Sequence, residues 1–149
     1  MIVLRPAAAA DQKRITAMIR EANINPMGLK WQNFILAVDD ATGEIVGTGQ
    51  IKTHGDGSRE LASIATLPAY QRRGIAHQII ERLLALHGSA STLYLTCRPP
   101  LGRFYEQFGF RTIGLDKMPP HFRRIKRVTG LFERLARAGV MLLVMKREA

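Results

Sequence analysis

The sequence predicts a single α/β domain built on a mostly antiparallel sheet, and three observations carry that expectation. Short β-rich apolar runs recur along the chain, each bounded by Gly, Pro, Asn or Asp. Two longer segments, around 75–86 and 122–135, instead repeat apolar residues at spacings of three and four, the period of a helix. No internal repeat or low-complexity linker divides the 149 residues, so residues 1–149 read as one domain with a core large enough to need no staples. Hydrophobic content of 46% with 23% charged residues is ordinary for a globular chain.

The elements follow in order. Ile2 to Arg5 reads as a first strand closed by Pro6. Asp11 is placed to cap a helix running to Ala22, with Ile15, Met18, Ile19 and Ala22 on one face. Asn23 to Gln32 is polar, contains Pro26 and Gly28, and is expected to form a second short helix with a loop. Phe34 to Val38 reads as a buried strand, and Asp39-Asp40-Ala41-Thr42-Gly43 supplies the turn. Glu44 to Thr53 follows as a strand in which Gly47 and Gly49 signal a bulge or a close backbone approach. His54-Gly55-Asp56-Gly57 forms the next hairpin turn, and Arg59 to Leu67 the next strand.

A long helix opens at Gly74, with Ile75, Ile79, Leu83 and Leu86 in its stripe and Gly88 as the residue just past its end. Thr92 to Cys97 is a short strand stopped by Pro99-Pro100, and Leu101 to Phe108 a short helix closed by Gly109. Phe110 to Ile113 and Val140 to Lys146 are the last strands. Between them, Phe122, Ile125, Val128, Phe132 and Leu135 predict one amphipathic helix, or two broken at Gly130.

Composition narrows the function classes. The lone Cys97 cannot form an internal disulfide, which fits a reducing, cytoplasmic compartment. No apolar run approaches the roughly 20 residues of a membrane span, and Asp11, Lys13 and Arg14 interrupt the N-terminal alanines too early for a signal peptide. The net charge of +10, from 22 Lys and Arg less 12 Asp and Glu, raises a nucleic-acid partner. Half of that excess sits between Gly114 and Gly139, where Lys117, Arg123, Arg124, Lys126, Arg127, Arg134 and Arg137 face only Asp116 and Glu133. A ligand carrying several phosphates is another reason for basic residues, as at Arg72, Arg73 and Arg103, so a nucleic-acid partner is not the favoured expectation. The helix within 114–139 reads as a core cover or a homodimer contact.

The segment from Leu61 to Leu86 carries the most information. An apolar strand ends at Pro68, a short polar turn follows, and Gly74 opens the helix. Strand, turn and helix leave backbone N–H groups at a helix N-terminus facing outward, where they attract an anion. A side chain at Gly74 would hold a phosphate off the backbone, and Ala76 is the next small residue; a pyrophosphate suits the turn. Other phosphate motifs are missing: there is no G-x-x-x-x-G-K-S/T, and Gly55-Asp56-Gly57 lacks the third glycine of a dinucleotide loop.

Gln71-Arg72-Arg73-Gly74-Ile75-Ala76 resembles the acetyl-CoA loop of the GNAT superfamily of N-acyltransferases, Q/R-x-x-G-x-G/A. Downstream, Phe104-Tyr105-Glu106-Gln107-Phe108-Gly109-Phe110 is similar to the family's FYxxxGF segment, and the order of the two motifs fits. The resemblance covers Glu60 to Phe110. It implies a mostly antiparallel mixed sheet of six to seven strands flanked by helices and split between strands four and five. The long basic insertion at about 114–139 is unusual for that plan.

The resemblance also implies a cytoplasmic N-acetyltransferase that moves an acetyl group from acetyl-CoA, as cosubstrate and without a metal, directly to a primary amine. Gln71, Arg72, Arg73, Gly74, Ile75 and Ala76 would bind the phosphates, and the backbone of Ile64, Ala65 and Thr66 would run beside the pantetheine arm. Such transfer needs a neutral amine, a donor for the oxyanion and a proton for the thiolate. Tyr105 is the implied acid at the sulfur, and Glu60, six residues before Thr66, the implied base. His54 and Asp56 are alternative bases in a nearby turn. Cys97 has no base partner placed by the sequence, and His77, His87 and His121 show no metal-ligand spacing. The acceptor, a small molecule or a protein amine, is not written in the sequence. A non-catalytic acyl-CoA-binding module on the same fold is the competing expectation, and a basic docking module is a third.

Overall fold

The structure is a computed structural model that describes residues 1–136 and 142–149, with side chains described outside 130–136. Seven strands form one sheet in the order β1-β2-β3-β4-β5-β7-β6. They are β1 (Ile2–Pro6), β2 (Phe34–Asp39), β3 (Glu44–Thr53), β4 (Arg59–Thr66), β5 (Leu93–Cys97), β6 (Arg111–Thr112) and β7 (Leu143–Arg147). The helices are α1 (Gln12–Glu21), α2 (Ile75–His87), α3 (Gly102–Glu106) and α4 (Pro120–Ala136). This is the mixed, mostly antiparallel architecture expected from the sequence. The chain folds as two compact units, Met1–Lys52 with Leu61–Gly88, and Thr53–Glu60 with Ser89–Ala149.

In the first unit, β2 lies antiparallel to both β1 and β3. Ala37 pairs with Gly47 but Val38 with Ile45, so Val46 is the extra residue of a β-bulge, and its carbonyl accepts the Leu67 N–H at 2.9 Å. Both readings of the β3 glycines hold. The bulge adjoins Gly47, and a Cβ at Gly49 would sit 2.6 Å from Ile79 Cγ2 of α2. The glycine thus lets the helix backbone approach the sheet closely. Ile15, Met18, Ile19, Phe34, Leu36, Ile45 and Ala65 form the core of this unit.

Four local expectations need correction or refinement here. Asp11 occupies the N-cap position of α1 as expected but makes no side-chain cap bond to it: its carboxylate accepts the Ala8 N–H at 2.7 Å and pairs with Arg5 at 2.8 Å. Residues 23–32 hold no second helix, only turns leading into a single 3-10 turn at Trp31–Asn33. Pro26 and Gly28 in so short a stretch leave too few residues to repay helix nucleation. Gly88 follows α2 directly, as expected, but with a right-handed φ of −71° where a glycine ending a helix is commonly left-handed. Leu86, assigned to the buried stripe, is 57% exposed because the helix outruns the surface it covers.

In the second unit, β7 pairs antiparallel with β5 and β6. The start of β4 joins β5 in parallel through Arg59↔Leu93 and Glu60↔Tyr94. Helix α4 is one helix that continues through Gly130; a single glycine costs only about 1 kcal/mol in a helix interior. Its root is held by Met118, Phe122 and Val144, with Tyr94 and Ile113 packed against them. Val128, assigned to the apolar stripe, is exposed. The expected contacts of Phe132 and Leu135, and the start of the last strand at Val140, lie outside the described residues. Among the described residues no helix is long and apolar enough to cross a membrane.

Candidate active site

The turn that leads into α2 is built by side chains from the first unit. After β4 ends at Thr66, Pro68–Tyr70 makes a 3-10 turn, and Gln71 Nε2 donates to the Thr66 carbonyl at 3.2 Å. The Tyr70 hydroxyl donates to Asp39 Oδ2 at 2.9 Å, and the Arg73 guanidinium lies 5.1 Å over the Tyr70 ring. Asp39 anchors Tyr70 and thereby Arg73. Arg72 and Gly74 both have left-handed φ, 63° and 77°. Two such residues turn the chain sharply into α2, whose Gln78 N–H donates to the Gly74 carbonyl at 3.1 Å. The N–H groups ahead of that bond point out of the helix end. Gln71, Arg72, Arg73 and Gly74 are exposed, and a Cβ built on Gly74 meets nothing within 4 Å. Ile75 is buried and Ala76 half-buried, so it is the Gln71–Gly74 side of the turn that lies open to an anion.

Upstream, β4 carries a feature the sequence did not signal. Ser63 is buried and has a left-handed φ of 58° within the strand. The Thr48 hydroxyl donates to its carbonyl, and Gln50 Nε2 to its hydroxyl, both at 2.8 Å. These bonds offset the strain of a non-glycine residue there, and the kink re-aims the backbone of Ile64, Ala65 and Thr66. Ala65 is buried in the core and the Ile64 side chain lies against Gly49. What these residues can offer a ligand is their backbone.

The second unit holds the acid–base candidates. Glu60 is 7% exposed, and its Oε1 lies 2.7 Å from His54 Nε2. The His54 and His121 rings stack 3.5 Å apart at 16°, and Phe122 packs edge-on against both. His54 is thus a direct hydrogen-bond partner of Glu60. Asp56 is spent differently: it accepts the Ser58 hydroxyl and the His121 backbone N–H, at 2.5 and 3.0 Å. Those bonds, the serine first, hold its carboxyl down at about 2, too weak a base to take an amine proton. Asp56 is thus committed to bonds within its own turn and to the start of α4. Its structural role is to fix the start of α4.

Tyr105, on α3, is 8% exposed and packs edge-on against Phe104 and Phe110. Burial, with a smaller contribution from Cys97, pushes its phenol up to about 12, so it keeps its proton throughout the neutral range. Burial also raises the Cys97 thiol, whose Sγ lies 3.8 Å from Met145 Sδ. Cys97 is a packed thiol without thiolate character. A separate cavity of about 440 Å³ is lined by Gly109, Arg111, Ile113, Lys117, Lys146, Arg147 and Glu148. None of the expected site residues lines it.

Sequence reasoning found no metal-ligand spacing among the histidines, but folding gathers His54, Glu60 and His121 with donor atoms all within 4.8 Å of one another. No linear signal could have shown this, because the stack joins a hairpin turn to a helix far along the chain.

The profile of the acetyltransferase (GNAT) domain matches residues 30–112, more than half of the chain. The chain belongs to the GNAT acetyltransferase family. Its GNAT fold recurs in N-acetylglutamate synthase from Neisseria gonorrhoeae, solved with coenzyme A and N-acetyl-glutamate, at a TM-score of 0.76 and 21% identity, covering 99% of this chain and 35% of that one. The chain therefore spans about a third of that synthase. A Mycobacterium tuberculosis protein solved with CoA and NLQ matches at TM-score 0.73 and 22% identity, with 99% of both chains covered. A GNAT-family acetyltransferase from Staphylococcus aureus matches at 0.70 and 14%, again over 99% of both. At these identities the likeness is one of fold. No curated protein matches this GNAT chain in sequence.

Proposed function

We propose that this protein transfers an acetyl group from acetyl-CoA to a primary amine by direct attack in a ternary complex. The observation that carries the reading is the turn from Thr66 to Ala76, where left-handed, exposed Gly74 opens α2 and the N–H groups of its first turn have no helical partner. Those groups, with Arg72 and Arg73, are suited to a pyrophosphate. The backbone of Ile64, Ala65 and Thr66 takes the pantetheine amides.

In the reaction the amine nitrogen attacks the thioester carbonyl carbon, the C–N bond forms and the C–S bond breaks. Glu60 accepts the proton that the nitrogen loses, directly or through water, with His54 holding its carboxylate. Tyr105 donates its proton to the departing thiolate. Protonated across the neutral range, its phenol is ready for that role. One protein of this fold, the N-acetylglutamate synthase from Neisseria gonorrhoeae, was solved with coenzyme A and N-acetyl-glutamate and, in a second structure, with coenzyme A and L-arginine, so α-amino groups are the first acceptor class to try.

The test is a screen of amino acids, polyamines and peptide amines with acetyl-CoA, following release of free thiol. Amine-dependent release supports the reading. CoA binding with no release for any amine would favour a non-catalytic acyl-CoA-binding module.

A further inference from the structure

We propose that His54, Glu60 and His121 form a binding site for one divalent cation of the zinc type. Two imidazoles and a carboxylate are a donor set zinc accepts, and a cation held by three protein groups keeps a position open for water. Here the donors come from three elements, the hairpin turn, the start of β4 and the first turn of α4, with all donor atoms within 4.8 Å of one another.

The surroundings keep them there. Asp56 accepts the His121 backbone N–H at 3.0 Å and so pins that residue's position. Phe122, fully buried, packs edge-on against both rings, 5.7 Å from His54 and 5.1 Å from His121. Glu60 is buried, and an ionised carboxylate out of water needs a cation, a proton or strong donors. A cation would replace the proton shared across the 2.7 Å contact between His54 Nε2 and Glu60 Oε1.

The geometry also says what must move. Zinc bonds of about 2.0–2.1 Å put tetrahedral donors roughly 3.3 Å apart, so the outermost donors close in by side-chain rotation. With the rings 3.5 Å apart and only 16° from parallel, no cation within bonding distance of both can lie in both ring planes. One imidazole therefore turns out of the stack when the cation binds, which gives the site a spectroscopic signature.

The test uses the full chain freed of metal by EDTA and titrated with Co²⁺ or Zn²⁺ alone. One equivalent of Co²⁺ should develop the visible absorption of a four- or five-coordinate ion. With Zn²⁺, the ring ¹⁵N resonances of His54 and His121 should shift, while those of His77 and His87 serve as internal controls. His54→Gln and His121→Gln, with melting curves to verify folding, should each weaken binding by at least about 100-fold, beyond the loss of an outer hydrogen-bond partner. No binding in wild type, shifts confined to His77 and His87, or unchanged affinity in both folded variants would each overturn the site. The wild-type spectra decide the matter if a variant does not fold. A consequence for turnover rests on Glu60 being the base: Zn²⁺ should then inhibit transfer and EDTA restore it. Binding without inhibition leaves the cation site standing and counts against Glu60 as base.

Discussion

Tyr105 and Glu60 differ in what their surroundings let them do. Burial holds the Tyr105 proton on up to about pH 12, so the phenol donates without titrating in any practical assay. Tyr105→Phe keeps the ring packing against Phe104 and Phe110 and removes the donor. Turnover should drop by roughly 10²-fold with CoA affinity little changed, and wild type should show no alkaline fall from this residue below about pH 10. An undiminished rate in the variant would mean that solvent protonates the sulfur. For Glu60, the change to Gln keeps a partner for His54 and removes the proton acceptor. Its loss of rate should be largest at low pH, where the amine is mostly protonated, and should shrink as rising pH supplies neutral amine. Parallel pH–rate profiles for variant and wild type would remove Glu60 from the chemistry.

At the scale of elements, the turn into α2 separates conformation from ligand binding. Gly74 has open space around its Cα but a φ of 77°. Gly74→Ala should cost roughly 1–2 kcal/mol for the left-handed conformation and leave CoA binding largely intact. Gly74→Glu should carry the same conformational cost and also abolish binding, by placing a carboxylate at the start of α2 where the pyrophosphate would lie. Calorimetry with CoA and thermal melts on both variants separate the two effects; equal CoA affinity in the glutamate variant and wild type would remove the pyrophosphate from this turn. The elements that sequence located best were those whose signals are local. The turn residues Asp39 to Gly43 bounded β3, and apolar spacing located α1 and α2. The kink at Ser63 was not legible, because its support comes from Thr48 and Gln50 on the neighbouring strand. The same holds for the His54–His121 stack, which only tertiary folding creates.

For the molecule as a whole, acid stability should report the anchoring of α4. Asp56 has a folded value near 2, below the ordinary carboxylate value of about 3.9 in an unfolded chain. Its contribution is thus fully present above about pH 4 and is lost as pH falls toward 2. The melting difference between wild type and Asp56→Asn should be constant near neutrality and vanish by about pH 2. A difference that persists unchanged at pH 2 would show that the ionised carboxylate is not what holds the His121 backbone. The mixed, mostly antiparallel sheet with its flanking helices was legible through family motifs, whereas the strand order, with β7 between β5 and β6, was not. The basic stretch after Gly114 was not, since amphipathic spacing alone placed Val128 on a covered face and the structure exposes it.

The division of the chain has a consequence for the order in which a ribosome delivers it. The first unit is complete once Gly88 has emerged, whereas the second joins Thr53–Glu60 to residues synthesised after Ser89. His54 and Glu60 therefore leave the exit tunnel well before His121, their partner in the stack. Domains generally form as their residues become available, N-terminal parts first. The early-made hairpin tip must then wait for the later part of its own unit, and the histidine–glutamate cluster is among the last features to close. A nascent chain paused shortly after Gly88 would hold the turn into α2 ready while its candidate base still faced water.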